Sequence, residues 1–164
     1  MADIQITDLI GVWKLKSMYT QLPDERVIHP FGLNPKGQLI YHESGVMSVM
    51  LMHAERMPLR ITLMELGDWR NLLIKPLAFI LGARRLAKAA GHFQSYCGTY
   101  FVAGNTVTHC LEVALIPDMV GSRQARVARL QENTLQLVAS DKGIVHTLEW
   151  EKAHAQGNDE GGSV

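Results

Sequence analysis

Hydrophobic and polar residues alternate along most of the chain, in short runs separated by turn-forming residues. The clearest run is "NTVTHCLEVALIP" (Asn105 to Pro117). It sets Val107, His109, Leu111, Val113 and Leu115 on one face and Thr108, Cys110, Glu112 and Ala114 on the other. Successive side chains of a strand point to opposite faces, so the run predicts a half-buried strand with its aliphatic face inward. "VWKLKSMY" (Val12 to Tyr19) alternates in the same way, with Trp13, Leu15, Ser17 and Tyr19 opposed to Lys14 and Lys16. "GQLIYHESGVMSVMLM" predicts a hairpin turning near Ser44 and Gly45, and "YCGTYFVAGNTVTHCLEVALI" a second, closed by Ala103, Gly104 and Asn105. "RQARVARLQENTLQLVASDKGIVHTLEWEK" supplies three more strands, with turns at Glu132-Asn133 and at Asp141 to Gly143. Short antiparallel strands joined by tight turns predict a mainly β sandwich or barrel, and barrel closure protects the strand edges.

Between Arg56 and Phe93 the spacing becomes helical, which predicts a helical insertion over about residues 58–92. Pro76 suits a first helical turn, where no N–H is needed, and Gly91 suits the end, with Arg84, Arg85 and Lys88 in the final turns opposing the helix dipole. The apolar stretch is too short and interrupted to span a bilayer. The insertion can plug or flank the barrel, form a lid over a ligand mouth, or make a homodimer contact. Interfacial membrane binding is set aside on the ground that the basic residues gather at one end.

Composition narrows the function classes. A chain of 164 residues is expected to form one barrel domain, residues 1–152 including the insertion, followed by a polar, Gly-rich, disordered tail, residues 153–164. Sixteen basic residues balance sixteen acidic ones, so nothing suggests electrostatic attraction to nucleic acid or to an acidic membrane. The N-terminal sequence lacks the basic end and apolar run of a secretory signal. Cys97 and Cys110, which share the outer face of their hairpin, are read as free thiols. A cytoplasmic setting is expected. His29, His42, His53, His92, His109, His146 and His154 show no metal spacing, and no phosphate loop, His-Glu-x-x-His or Gly-x-Ser-x-Gly occurs. Neither a metal nor a cofactor is expected.

"LIGVWKLKS", "HPFGLNPKGQLIYHESGVMSVML", "YCGTYFVAGNTVTHCLEVALIPDMVGSRQARVARL" and "NTLQL" resemble, in that order, the lipocalin-like domain family of the calycin superfamily. The resemblance runs from Leu9 to about Trp150. The Cys-Gly-x-Tyr, Thr-His and Gly-Ser-x-Gln-x-Arg spacings together carry it, and the Arg56 to His92 region departs from it by being longer and more apolar. It implies a small closed antiparallel lipocalin-like β-barrel with an internal cavity, and a Trp13 packed beneath an arginine at the closed end. It also implies binding of apolar small molecules or, in other members, cofactor-free cyclase chemistry. A shared fold does not fix which.

Side-chain parity indicates what points inward. Tyr96 and Tyr100 share the face that pairs with His109, and Gln124 and Arg126 share the face of Leu130. Leu39 and Tyr41 face in, because Gln38 and His42 are polar, while His146 shares the face of Leu148 and Trp150. The facing of Val46 to Met52 is not readable, since both sides are apolar. Tyr41, Tyr96, Tyr100, His109, Gln124, Arg126 and His146 therefore form a candidate ligand-binding cluster. So many polar groups must either satisfy one another or line a wet cavity, because an unpaired buried group costs about 1–3 kcal/mol. Two functions fit. One is a binding protein for a small apolar molecule. The other is a cofactor-free cyclase or isomerase acting on a polyketide- or terpenoid-like substrate, with His109 and Tyr100 as catalytic groups. Arg126 can serve either as a ligand contact or as the cation stacked on Trp13.

Overall fold

The structure, a computed structural model, describes residues 3–59, 62, 64 and 67–153, and for residues 71–72 the backbone only. Apart from Ala153, the expected tail lies outside the described residues, as does part of the insertion. Nine strands follow one another: β1 (Gly11–Gln21), β2 (Val27–Ile28), β3 (Lys36–Tyr41), β4 (Val46–Met52), β5 (Phe93–Ala103), β6 (Thr106–Ala114), β7 (Arg123–Gln131), β8 (Thr134–Asp141) and β9 (Ile144–Lys152). Every pairing is antiparallel. β3 to β9 pair in chain order, and β1 pairs with both β3 and β9, so eight strands close into a barrel. β2 is a short extra strand on the edge of β1. The turns fall where expected, and glycines hold positive φ in three of them: Gly45 at 81°, Gly104 at 60° and Gly143 at 80°. The two cysteines are free, and Cys110 sits opposite Thr99, not Cys97.

One end of the barrel is closed by α1 (Ile6–Leu9). Trp13 is fully buried there, and its indole N–H donates to the Leu9 carbonyl at 2.8 Å. The cation over its ring is Lys152, with Nζ 5.3 Å from the centroid. This corrects the expectation of an arginine and frees Arg126 for another role. Leu39, Val107, Leu135, Leu137 and Trp150 complete a solid core at this end. The strand left unread resolves as Met47, Val49 and Leu51 inward, with Val46 and Met50 outward.

Two β-bulges correct the predicted facing. In β1, Leu15 pairs with Trp150 but Ser17 pairs with Glu149, so one residue is inserted. From that point Met18 and Thr20 are buried, whereas Ser17 and Tyr19 leave the inner face. In β6, Gly98 of β5 faces Leu111 while Cys97 faces Val113, which leaves Glu112 without an opposite residue. Val113 and Leu115, predicted inward, are exposed, and Ala114 packs on the core instead. An extra residue shifts a period of two by one position, which reverses every side chain beyond it. Gly98 permits the second bulge. A Cβ there would overlap the Cys110 carbonyl oxygen and come within 2.9 Å of the Glu112 nitrogen.

The insertion between β4 and β5 contains α2 (Arg70–Ile74) and α3 (Pro76–Gly91). Pro76 and Gly91 are the first and last residues of α3, as their backbone preferences predict. The helix is no plug: it lies beside the barrel, and Gly82 is its one buried residue among those described.

Candidate functional site

His109 lies in the middle of β6, directly opposite Tyr100 of β5 and Gln124 of β7. It is completely buried, with both ring nitrogens engaged. Nε2 is 2.6 Å from the Tyr41 hydroxyl and Nδ1 is 3.3 Å from the Tyr96 hydroxyl. The Arg126 guanidinium donates to the Tyr96 oxygen at 3.2 Å and to Gln124 Oε1 at 2.6 Å. The result is a hydrogen-bonded chain from the buried core outward: Tyr41, His109, Tyr96, Arg126, Gln124. If the Tyr96 hydroxyl donates to Nδ1, Nε2–H donates to the Tyr41 oxygen, and the other tautomer reverses both bonds.

Burial keeps the two innermost members of this chain, Tyr41 and His109, neutral. Burial, reinforced by the nearby guanidinium, lowers the His109 pKa to about 3. Burial raises the Tyr41 phenol well above its ordinary value; Tyr96 and Tyr100 add to the rise, and Arg126 partly offsets it. Tyr100 is also raised by burial, and its hydroxyl donates to the His42 carbonyl at 3.1 Å. It packs against Tyr41 with the rings tilted, centroids 4.6 Å apart, and so supports the chain without joining it. Substituting Tyr41 by Phe leaves His109 Nε2 without a partner in the core. We expect a loss of about 1–3 kcal/mol in urea unfolding; an unchanged midpoint would show that the 2.6 Å contact contributes nothing.

The chain ends in a cavity of about 670 Å³ at the end of the barrel opposite α1. Tyr96, Gln124, Arg126 and His146 all line it. The same wall is made of Met18, Leu51 and Leu148, with Asp141 at the rim. Arg126 is half-buried, and among the described residues no carboxylate pairs with it. His146 is held by Thr20, whose hydroxyl lies 2.8 Å from Nδ1. The predicted cluster therefore divides: Tyr96, Gln124, Arg126 and His146 face the cavity, whereas Tyr41, Tyr100 and His109 lie outside its lining.

Parity did not find Met18 or Thr20, because the β1 bulge places them, nor Gln94 and Asp141, which are strand-end residues gathered by barrel closure. Among the described residues no group of three His, Cys, Asp or Glu side chains could hold a metal ion. No described helix is long and apolar enough to cross a membrane.

Among solved structures, the chain is similar to a lipocalin-like protein from Bacteroides uniformis ATCC 8492. The identity is 13% over 89% of this chain and 99% of that one, with a TM-score of 0.44. It is also similar to the wild-type fluorescent protein UnaG, at 8% identity over 91% and 100% of the two chains and a TM-score of 0.41. A third similar structure is the REP1-NXSQ fatty acid transporter, at 10% identity over 92% and 99% and a TM-score of 0.40. No curated protein matches the chain. The sequence model of the lipocalin-like domain family matches residues 10–156, which takes in the whole barrel, and the chain belongs to that family.

Proposed function

We propose that the protein binds a small, mainly apolar molecule in the open end of the barrel and holds a polar, electron-rich group of that molecule at Arg126. The observation that carries this reading is a guanidinium lining a 670 Å³ cavity with two neutral partners and no carboxylate partner among the described residues. A cavity of this size lies within the range that small-molecule sites occupy. Met18, Leu51 and Leu148 offer apolar contact, and a cation already fixed by Tyr96 and Gln124 loses little freedom when a carboxylate or carbonyl oxygen arrives. Asp141 at the rim disfavours a second anionic end close by.

The cyclase or isomerase alternative draws no support from His109. A general base works best with a pKa near the working pH. An imidazole at about 3, bonded at both nitrogens and outside the cavity lining, is better suited to positioning Tyr96.

Displacement of a fluorescent apolar probe tests the binding reading. Dodecanoate is expected to compete saturably and more strongly than dodecanol. Arg126→Met is expected to weaken dodecanoate by tenfold to a hundredfold, since a hydrogen bond to a charged group contributes about 1.5–3 kcal/mol, and to leave dodecanol nearly unchanged. Absence of saturable probe binding would sink the proposal. Equal losses for both ligands would remove Arg126 from it.

A further inference from the structure

The insertion leaves apolar side chains in solvent where a soluble barrel has no use for them. Trp69, Leu73, Ile74, Leu77, Ile80 and Leu81 are each between 44% and 72% exposed. On α3, Phe79, Gly82, Leu86 and Ala89 turn toward the rest of the protein. Leu77, Leu81, Arg84 and Lys88 follow one another at helical spacing along the outer side. Apolar and basic residues thus share one outward stripe.

The charge of this region is one-sided. From Trp69 to Leu111 the sequence has no Asp or Glu, yet it holds Arg70, Lys75, Arg84, Arg85 and Lys88. The remainder of the chain, with eleven basic and sixteen acidic residues, is net negative. Arg70 and Lys75 stand at one end of the apolar run and Arg84, Arg85 and Lys88 at the other, so the cations do not gather at one end as expected. A groove of about 460 Å³ beside α3 continues the positive field. It is lined by Arg56, Arg85 and Lys88 and by the stacked rings of His53 and His92, 5.0 Å apart, against the single carboxylate of Glu55.

We infer that the outer face of α2 and α3 docks the protein on an anionic lipid surface. Apolar side chains and cations on one helical face are satisfied together at such a surface, where acyl chains lie a few ångströms below a layer of phosphates. A second copy of the chain is the poorer occupant. A two-fold interface sets the same patch against itself, which would bring ten cations together with no carboxylate from this segment. The inserted helices leave the barrel at Met52 and return at Phe93, beside Leu51 and Gln94 of the cavity wall, so docking turns the open end toward the lipid. The docking does not depend on whether the cavity binds a ligand.

Trp69 provides an internal probe, since it is exposed while Trp13 and Trp150, the other two tryptophans, are buried. The full chain is mixed with vesicles of phosphatidylcholine alone, or of phosphatidylcholine with phosphatidylglycerol. Co-sedimentation and a blue shift of emission are expected with the anionic vesicles and not with the neutral ones, and both should be lost at high salt. Each basic residue near an anionic surface contributes about fivefold in affinity, so the triple variant Arg84→Gln, Arg85→Gln, Lys88→Gln should bind on the order of a hundredfold more weakly. Leu77→Ser with Leu81→Ser, both at exposed positions, should abolish the blue shift while circular dichroism stays unchanged. Equal binding to both vesicle types, or binding to neither, overturns the inference. A dimer in solution that the leucine variant dissociates, with no vesicle binding, assigns the face to a second copy and overturns it as well.

Discussion

Lowering the pH from 7 to 4 is expected to weaken the fold by about 3 kcal/mol through His109 alone. In an unfolded chain an imidazole titrates near 6.5, whereas in the folded barrel burial and the Arg126 charge hold His109 at about 3. Between these values the unfolded chain carries one proton more than the folded one, so the stability that His109 confers is complete above about 6.5. It is lost as the pH falls toward 3. Each pH unit in that window removes about 1.4 kcal/mol, for a total of about 5 kcal/mol. The neutral ring is fixed by two phenols, and the Arg126 cation is bonded not to the ring but to Tyr96, one residue further along the chain of hydrogen bonds. Urea unfolding at pH 7.5 and pH 4 measures the effect, with His109→Gln as the reference that keeps a polar group but cannot titrate. The native protein should lose about 3 kcal/mol more than the variant. Equal losses would mean that the imidazole accepts its proton in place, and that the buried chain tolerates charge.

Gly98→Ala should cost about 3 kcal/mol, an unusual amount for adding one methyl group. Overpacking usually costs 1–3 kcal/mol because neighbouring side chains shift aside. Here the obstruction is the Cys110 carbonyl and the Glu112 amide, both backbone, at the bulge that sets the facing of the distal half of β6. Relief requires β5 and β6 to separate or the bulge to slide. Sliding it would turn Val113 inward and Ala114 outward, away from the core on which Ala114 now packs. Thermal unfolding would report the loss directly, and a variant with an unchanged melting temperature would show that the two strands part freely at this point. Gly45→Ala is the control: its nearest neighbour is 3.9 Å away, so the cost there arises from its positive φ and not from a clash.

The inner faces of β3, β5 and β7 were legible because each strand holds one parity between its turns. Tyr41, Tyr96, Tyr100, His109, Gln124 and Arg126 meet because alternation and hairpin pairing are local rules. The bulges were not legible. The stretch around Ser17 and the stretch around Glu112 both alternate smoothly, and the inserted residue appears only when the partner strand is counted. For the same reason Met18 and Thr20 entered the cavity region unannounced, and Val113 and Leu115 left the interior. Arg126 and Lys152 illustrate a second limit. Both are cations on inward-compatible positions, and only the tilt of the closed barrel decides which reaches Trp13 and which reaches Tyr96.

The sequence by itself determined antiparallel strands of a mainly β fold, their turns, the ends of α3 and most of the polar groups inside. These follow from a period of two, from residues that accept positive φ and from a proline without an N–H, none of which needs long-range information. Only the tertiary structure decided that His109 is sealed between two tyrosines and that Arg126 faces a cavity. It also decided that the apolar side of the insertion looks outward. Those outcomes depend on bulges, on closure of β1 against β9, and on which groups lie far enough from water to lose their charge.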